Sequence, residues 1–297
     1  MTYPIVQVET KDHLWLHGLL LEAKNSKAIF IQIHGTASNF YEEDFVKTMA
    51  ERFVLEDVSI LSTNNRGVGV YDAWDGKGTA TELFKGCLLD IDAWVKFALE
   101  RGYKKIFLSG HSLGTEKVVY YMAQGTYRAE VTAIVLLAPA DSPGWRLYDE
   151  KYRPSAEGRN RVASQVERAQ QMVDDGRGDE LMNRKEYGGI MPKTPKSLLN
   201  FLGPNTEIRK TLPFHSGKLD MYSKINVPIL AIIGDQEEYT SIPPQQALEL
   251  MKKENSRTEI HQLKNCDHDF NDREDELIQL VAYFVKNITS KSPIGSV

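Results

Sequence analysis

Apolar residues recur along this chain in two periods, one typical of strands and the other of helices. Segments 5–9 and 14–21 alternate apolar and polar positions, as half-buried strands at an antiparallel edge do. Segment 28–33 is a short, continuous apolar run, which is typical of a strand buried on both faces, and 58–63 is the next strand candidate. The opening of the chain therefore predicts an antiparallel edge followed by buried strands.

From residue 84 onward the two periods alternate regularly. Apolar residues at 84, 87, 88, 91, 95 and 98 recur at helical spacing, and Gly102 ends that predicted helix. The same alternation predicts strands at 104–109, 131–137, 227–233 and 258–263, and helices at 115–124, 245–253 and 273–286. Strands separated by helices build βαβ units, so the pattern predicts an α/β fold with a doubly wound, mostly parallel sheet.

Residues 141–222 interrupt this rhythm. They show no strong strand signal, and their apolar positions predict helices around 162–173 and at 197–202. The stretch is too long for a plain connection, so we interpret it as an inserted, mainly helical cap on a core formed by 1–140 and 223–290. The tail at 291–297 is expected to be frayed.

Composition narrows the function classes. The 297 residues carry a net charge of −5 and no basic tract interleaved with aromatics, so nucleic acid is not an expected partner. The N-terminus lacks a signal-peptide pattern and no apolar run reaches the length of a membrane span, so we expect a cytoplasmic protein without a membrane partner. The two cysteines, Cys87 and Cys266, cannot form a disulfide framework. The oligomeric state stays open.

The pentapeptide GHSLG at 110–114 lies between a predicted strand and a predicted helix. A serine at such a sharp turn, here Ser112, is held in a strained conformation with its hydroxyl clear of the sheet. Flanking glycines are needed because the turn brings two backbones too close for a Cβ. The motif alone is weak, but it gains weight from the residues that follow downstream.

Serine becomes a nucleophile when a histidine takes its proton and a carboxylate orients that histidine. Glu237 lies just past the strand at 227–233, and His268 lies just past the strand at 258–263. The carboxyl ends of parallel strands meet at one edge of the sheet, so these side chains are expected to converge with Ser112. The alternatives for His268 are a solvated position in an acidic loop and a metal ligand, although no metal-binding spacing supports the latter.

These pieces, in the order Ser, acid, His, resemble the α/β-hydrolase superfamily over nearly the whole chain. The resemblance implies that the triad acid stands three residues after a glycine, which is Glu237 here, with Asp235 and Glu238 as alternatives. It also implies an oxyanion hole made by the backbone N–H groups of Thr36 and Leu113. A shorter stretch, 206–225, is similar to a fungal-type family that includes hydrolases of siderophore esters.

The resemblance implies a serine hydrolase that cleaves a small-molecule carboxylic ester through an acyl-enzyme, without a cofactor or metal. The same triad also serves thioesterases, amidases and acyltransferases, and a hydrolase fold without catalysis can act as a ligand receptor. The segment 141–222 holds 14 basic and 12 acidic residues. This faint basic excess favours either acidic substrates or simply a solvated helical surface.

Overall fold

The computed structural model describes residues 4–74, 76–148, 156–183 and 191–290. These residues form an eight-stranded sheet with the strand order β1-β2-β4-β3-β5-β6-β7-β8. From β3 onward, neighbouring strands are parallel, whereas β1 and β2 form an antiparallel edge. The strands are β1 (Ile5–Glu9), β2 (Trp15–Leu21), β3 (Ala28–Ile33), β4 (Val58–Thr63), β5 (Lys105–His111), β6 (Val131–Leu137), β7 (Ile229–Gly234) and β8 (Thr258–Leu263).

The predicted fold class is confirmed, and the burial of the strands follows their sequence pattern. Along β2, every second residue is buried, whereas every residue of β3 is buried. Within β3, Ile29 and Ile31 pack into the apolar cluster on one face of the sheet and Phe30 packs into the cluster on the other. A sheet covered on both faces is the arrangement that continuous apolar strands require.

Helices cover both faces of this sheet. The described α-helices are α1 (Asp44–Leu55), α2 (Cys87–Glu100), α3 (Leu113–Gln124), α4 (Ser142–Tyr148), α5 (Ala156–Asp174), α6 (Pro195–Leu202), α7 (Pro244–Glu254) and α8 (Glu274–Ser290). Residues of α2, α3 and α7 join one core cluster, and residues of α1 and α8 join the other. No described helix combines the length and the apolar character that crossing a bilayer needs.

Helix α1 was not predicted from the sequence, although its signal is present. Phe45, Met49 and Phe53 recur every fourth residue, and each is buried at no more than 1% exposure. The helix begins directly after a loop rich in turn residues, without a side-chain cap. Cys87 and Cys266 are both free and buried, which confirms that they form no disulfide.

The segment between β6 and β7 contains helices and no strand among its described residues. Helix α6 and the two residues before it dock on the loop at 79–84, which follows β4. Four hydrogen bonds make this contact: Lys193 Nζ to Thr79 O (2.7 Å), Thr194 N to Ala80 O (2.8 Å), Ser197 Oγ to Glu82 O (2.8 Å) and Phe84 N to Asn200 Oδ1 (2.7 Å). The assignment of 141–222 as an inserted cap stays a prediction, and the tail at 291–297 lies outside the described residues.

A buried ion pair fixes the loop after β4. Arg66 donates from Nη2 to Asp90 Oδ1 at 2.8 Å, and the Asp90 side chain is fully buried. The Arg66 backbone N–H also donates to Asp90, at 2.9 Å. Since this loop contains Asn65, which contacts the strand end at His34, the pair supports the edge of the sheet where the candidate site lies.

We expect Asp90→Ala to lower the free energy of unfolding by about 3–5 kcal/mol, because it leaves the Arg66 guanidinium without its buried partner. Urea titration measures this loss. Glu22→Ala, which breaks the exposed pair with Arg101, is the matched control and should cost no more than about 1 kcal/mol. Equal losses in the two variants would contradict the structural role of Asp90.

Candidate active site

Ser112 stands alone between the last residue of β5 and the first residue of α3. Its backbone has φ 54° and ψ −126°, a conformation that residues other than glycine rarely adopt. The strained turn predicted from the GHSLG motif is therefore present. Such strain persists only where the surrounding structure holds the backbone in place, and it is concentrated at functional sites.

Glycines allow three backbone segments to crowd around this serine. A Cβ on Gly110 would lie 2.2 Å from Gly114 O, and a Cβ on Gly114 would lie 2.3 Å from Ile33 O. A Cβ on Gly35 would lie 2.8 Å from Ser112 Cβ. Each of these distances is shorter than a van der Waals contact, so a larger residue would push the elbow away from the strand ends.

Glu237 and His268 are brought together as expected. His268 Nδ1 lies 2.7 Å from Glu237 Oε2, and the other carboxylate oxygen accepts the N–H groups of Glu238 (2.9 Å) and Tyr239 (2.7 Å). Glu237 is buried, whereas Asp235 and Glu238 are exposed. Of the three candidate acids, Glu237 is thus the one whose hydrogen bond fixes the tautomer of His268.

The His268 ring is held from two sides. Its centroid lies 4.5 Å from that of Tyr239 and 4.9 Å from that of His111. Because Nδ1 is bonded to Glu237, the ring nitrogen left for other chemistry is Nε2. Ser112 and His268 line the same cavity.

His111, the second residue of the GHSLG motif, forms a bridge that sequence analysis missed. Its Nδ1 lies 3.3 Å from Glu43 Oε1, and its Nε2 lies 2.9 Å from the backbone oxygen of His268. Burial disfavours the charged ring, but the Glu43 carboxylate and the His268 carbonyl outweigh it and raise the pKa of His111 to about 9. Both ring nitrogens therefore donate, so the protonated ring ties the His268 loop to Glu43.

One group of possible metal ligands occurs among the described residues. Atoms of His111, His268 and Asp269 lie within 4.8 Å of one another. Both nitrogens of His111 are occupied by hydrogen bonds, as is Nδ1 of His268. A ring that donates from both nitrogens has no lone pair for a metal, so this group is better suited to organising the loop than to binding an ion.

Of the two residues expected to supply oxyanion donors, Leu113 lies at the elbow and Thr36 lies in the turn after β3. Leu113 is the first residue of α3, and the first N–H groups of a helix have no partner within it. Thr36 is exposed, lines the cavity and follows Gly35, which packs against Ser112. His34 fixes this turn, since its Nδ1 donates to Gly35 O at 2.8 Å and its Nε2 accepts from Asn65 N at 3.1 Å. Burial and the nearby Lys117 lower the pKa of His34 to about 4, so the ring is neutral.

A second buried ion pair lies behind the elbow. Lys117 on α3 contacts Glu82 at 2.6 Å, and both side chains are fully buried. Lys117 also donates to Asn65 Oδ1 at 2.9 Å. Although burial acts in the opposite direction, Lys117 holds the pKa of Glu82 below its usual range. Charge on a predicted amphipathic helix is normally assigned to solvent, which is why sequence analysis did not identify this pair.

The cavity at this site has a volume of about 520 Å³. Such a volume suits a small organic molecule. The sheet domain contributes Gly35, Thr36, Ser38, Glu43, Thr79, His111, Ser112, Tyr239, His268 and Asp269. The segment between β6 and β7 contributes Ser142, Pro143, Trp145, Arg146, Met191, Lys193, Leu198, Phe201 and Leu202, so about half of the lining residues come from this segment.

Solved structures with this fold include several esterases and a lipase. The chain is similar to Est1E from Butyrivibrio proteoclasticus with bound ferulic acid (TM-score 0.67, 16% identity, 96% of this chain and 100% of that one). It is also similar to the esterase Pf2001 from Pyrococcus furiosus (TM-score 0.61, 19% identity, 96% of this chain and 90% of that one). A third similar structure is a monoglyceride lipase variant from Saccharomyces cerevisiae (TM-score 0.68, 14% identity, 98% of this chain and 97% of that one). At these identities the likeness establishes a shared fold.

Sequence comparison supplies the family. The chain has no match among curated proteins. The model of the family described as serine aminopeptidase, S33, matches residues 24–192, which is more than half of the chain and includes Ser112 and its flanking glycines. Together with the strand order and the strained elbow, this match shows that the chain belongs to the serine aminopeptidase S33 family of α/β-hydrolases.

Proposed function

We propose that this protein hydrolyses a small-molecule carboxylic ester through an acyl-enzyme on Ser112. The observation that carries the proposal is the Glu237–His268 hydrogen bond beside the same cavity that the strained Ser112 lines. Acyl transfer needs a serine presented by an elbow and an oriented histidine in the same cavity to take its proton. The esterases among the solved structures of this fold are in keeping with the proposal.

In the proposed mechanism, His268 Nε2 takes the proton of the Ser112 hydroxyl as its oxygen attacks the ester carbonyl. The N–H groups of Thr36 and Leu113 stabilise the oxyanion, and the imidazolium then donates its proton to the departing alcohol. Water repeats the sequence on the acyl-enzyme and releases the acid. Glu237 keeps the Nδ1 proton in place and stabilises the imidazolium, and the chemistry requires no cofactor.

Thioesters, amides and transfer to an alcohol acceptor use the same residues, so the leaving group is tested separately. A comparison of kcat/KM for an ester, a thioester and an amide of one acyl group separates these activities. We expect the ester to be turned over fastest. Faster cleavage of the amide would instead assign the chain a peptidase-like activity.

Ser112→Ala should lower kcat for an aryl ester by about 10⁴- to 10⁶-fold, since it removes the nucleophile. The melting temperature should change by no more than about 2 °C, because the substitution removes one hydroxyl from a partly exposed position. Ser223→Ala, at an exposed serine outside the cavity, is the control. Undiminished turnover in Ser112→Ala, or a wild-type protein that a fluorophosphonate fails to label, would contradict the proposal.

Glu237→Gln should lower kcat by about 10⁴-fold with little structural change. The amide oxygen can still accept the two backbone N–H groups, but the amide NH₂ donates to Nδ1 of His268. This favours the tautomer with the proton on Nε2, and that nitrogen can then no longer take the proton of Ser112. Asp235→Asn and Glu238→Gln are matched controls, and both should keep most of the activity. If one of these controls lost activity instead, the triad acid would be reassigned to that residue.

His111→Gln should lower stability in a pH-dependent way. The pKa of His111 is raised to about 9 in the folded protein and returns to its ordinary value of 6.5 on unfolding. A raised pKa contributes stability that is complete below about pH 6.5 and is lost as the pH rises through about 9. Urea titrations should therefore show a larger difference between wild type and variant at pH 6 than at pH 9.5. A difference that does not depend on pH would mean that the Glu43–His111 contact is not ionic.

A further inference from the structure

A buried lysine from the segment between β6 and β7 lines the cavity. Lys193 precedes α6 and is 8% exposed. Its ammonium donates to Thr79 O at 2.7 Å and to Ser197 Oγ at 3.3 Å, and it lies 4.2 Å from the centre of the Phe201 ring. Among the described residues, these partners are a carbonyl, a hydroxyl and an aromatic face, and no carboxylate lies within ion-pair distance of Lys193.

A second cation, Arg146, lines the same cavity from α4. One of its nitrogens, Nη2, donates to Gln165 Oε1 at 3.1 Å. Burial, together with the positive charges of Arg146 and Lys117, lowers the pKa of Lys193 to about 8 against the opposing effect of Glu82. A group with this pKa is still mostly protonated at neutral pH, so the buried Lys193 side chain carries a positive charge at the cavity wall.

Among the described residues, no acid at or behind the cavity makes an ion pair with the Lys193 ammonium. Glu82 is in direct contact with Lys117, and Glu43 is bonded to the protonated His111. Asp269 also lines the cavity, but it is an exposed residue next to His268. Isolated buried charge is costly unless an opposite charge compensates it. The inner wall is therefore complementary to an anion that a bound molecule would bring.

We propose that Lys193 binds a carboxylate of the substrate, so that the ester cleaved at Ser112 is an acidic one. This inference rests on the proposed esterase function. The apolar side chains of Leu198, Phe201 and Leu202 line the cavity together with Lys193. A carbon chain or ring can pack on them while its carboxylate meets the ammonium. Charge-assisted hydrogen bonds of this type change binding by about 10- to 100-fold.

The wild-type enzyme provides the first test, through two matched pairs of substrates. In the first pair, both compounds are para-nitrophenyl esters of suberic acid at one end. The other end is a free carboxylate in one compound and a carboxamide in the other. The second pair consists of the para-carboxyphenyl and para-carbamoylphenyl esters of one fatty acid. We expect kcat/KM to favour the carboxylate member by about tenfold or more in at least one pair. If both pairs are cleaved without preference, the inference is wrong while the esterase proposal stands. If Ser112→Ala cleaves them as fast as wild type, the esterase proposal itself fails.

The lysine is tested by comparing this preference between variants. Lys193→Met keeps an unbranched side chain against Phe201 and should reduce the carboxylate preference by about 10- to 100-fold. Lys193→Arg keeps the charge and should retain part of the preference. Lys196→Met removes a half-exposed lysine in the first turn of α6, paired with Asp179, and should leave the preference at the wild-type value.

A binding measurement keeps the inference testable if Lys193→Met does not fold. Suberate and its monoamide are then compared as inhibitors of wild-type cleavage of a neutral aryl ester. Stronger inhibition by suberate, weakened in Lys193→Arg, supports the carboxylate site. Equal inhibition by the two compounds, with no preference in the ester pairs, would mean that Lys193 only anchors α6 to the loop at 79–84.

Discussion

The site depends on a steric constraint: three backbone segments meet at Ser112 at distances that leave no space for a side-chain carbon. Parallel pairing aligns Ile33 of β3 with Gly110 of β5, so the two strand ends reach the same edge of the sheet together. Gly114 then lets α3 pass within contact distance of Ile33 O, and Gly35 lets the neighbouring turn touch Ser112. The elbow and the two proposed oxyanion donors therefore have one common geometric origin.

Buried polar contacts then hold the loops that follow the strands. Gly234 ends β7 where a Cβ would lie 2.2 Å from Cys266 O, so the loop of Glu237 packs directly on the loop of His268. The protonated His111 ties that second loop to Glu43, which lies at the start of α1. The largely buried charges of Glu43 and His111 contribute little to the solubility of the protein. They fix irregular backbone that has no strand or helix hydrogen bonds of its own.

Much of this arrangement could be predicted from the sequence, because it follows from local pattern. Alternating and continuous apolar runs located all eight strands to within two residues, and the GHSLG motif located the strained turn at Ser112. The resemblance to α/β-hydrolases favoured Glu237 over Asp235 and Glu238, and Glu237 is the acid that contacts His268. The catalytic roles of these residues remain a proposal, as does the division of the chain into core and cap.

The contacts that could not be predicted are those between charges distant in sequence. Lys117, Glu82, Arg66 and Asp90 read as surface residues of helices and loops, and only tertiary structure shows that they are buried in pairs. Helix α1 was missed for a different reason, since its short apolar stripe follows a turn-rich loop without a capping side chain. Hydropathy thus places the apolar framework well and says little about which charges it encloses.

The docking of α6 links two properties that are independent in many enzymes. The hydrogen bonds of this helix and of the residues just before it converge on the loop at 79–84, and that loop supplies Glu82 to Lys117 behind the elbow. Displacing α6 to admit a molecule would carry Lys193 and Phe201 away with it. A movement of α6 would accordingly change two properties of the cavity together, namely how well it excludes bulk water and how well it discriminates among ligands.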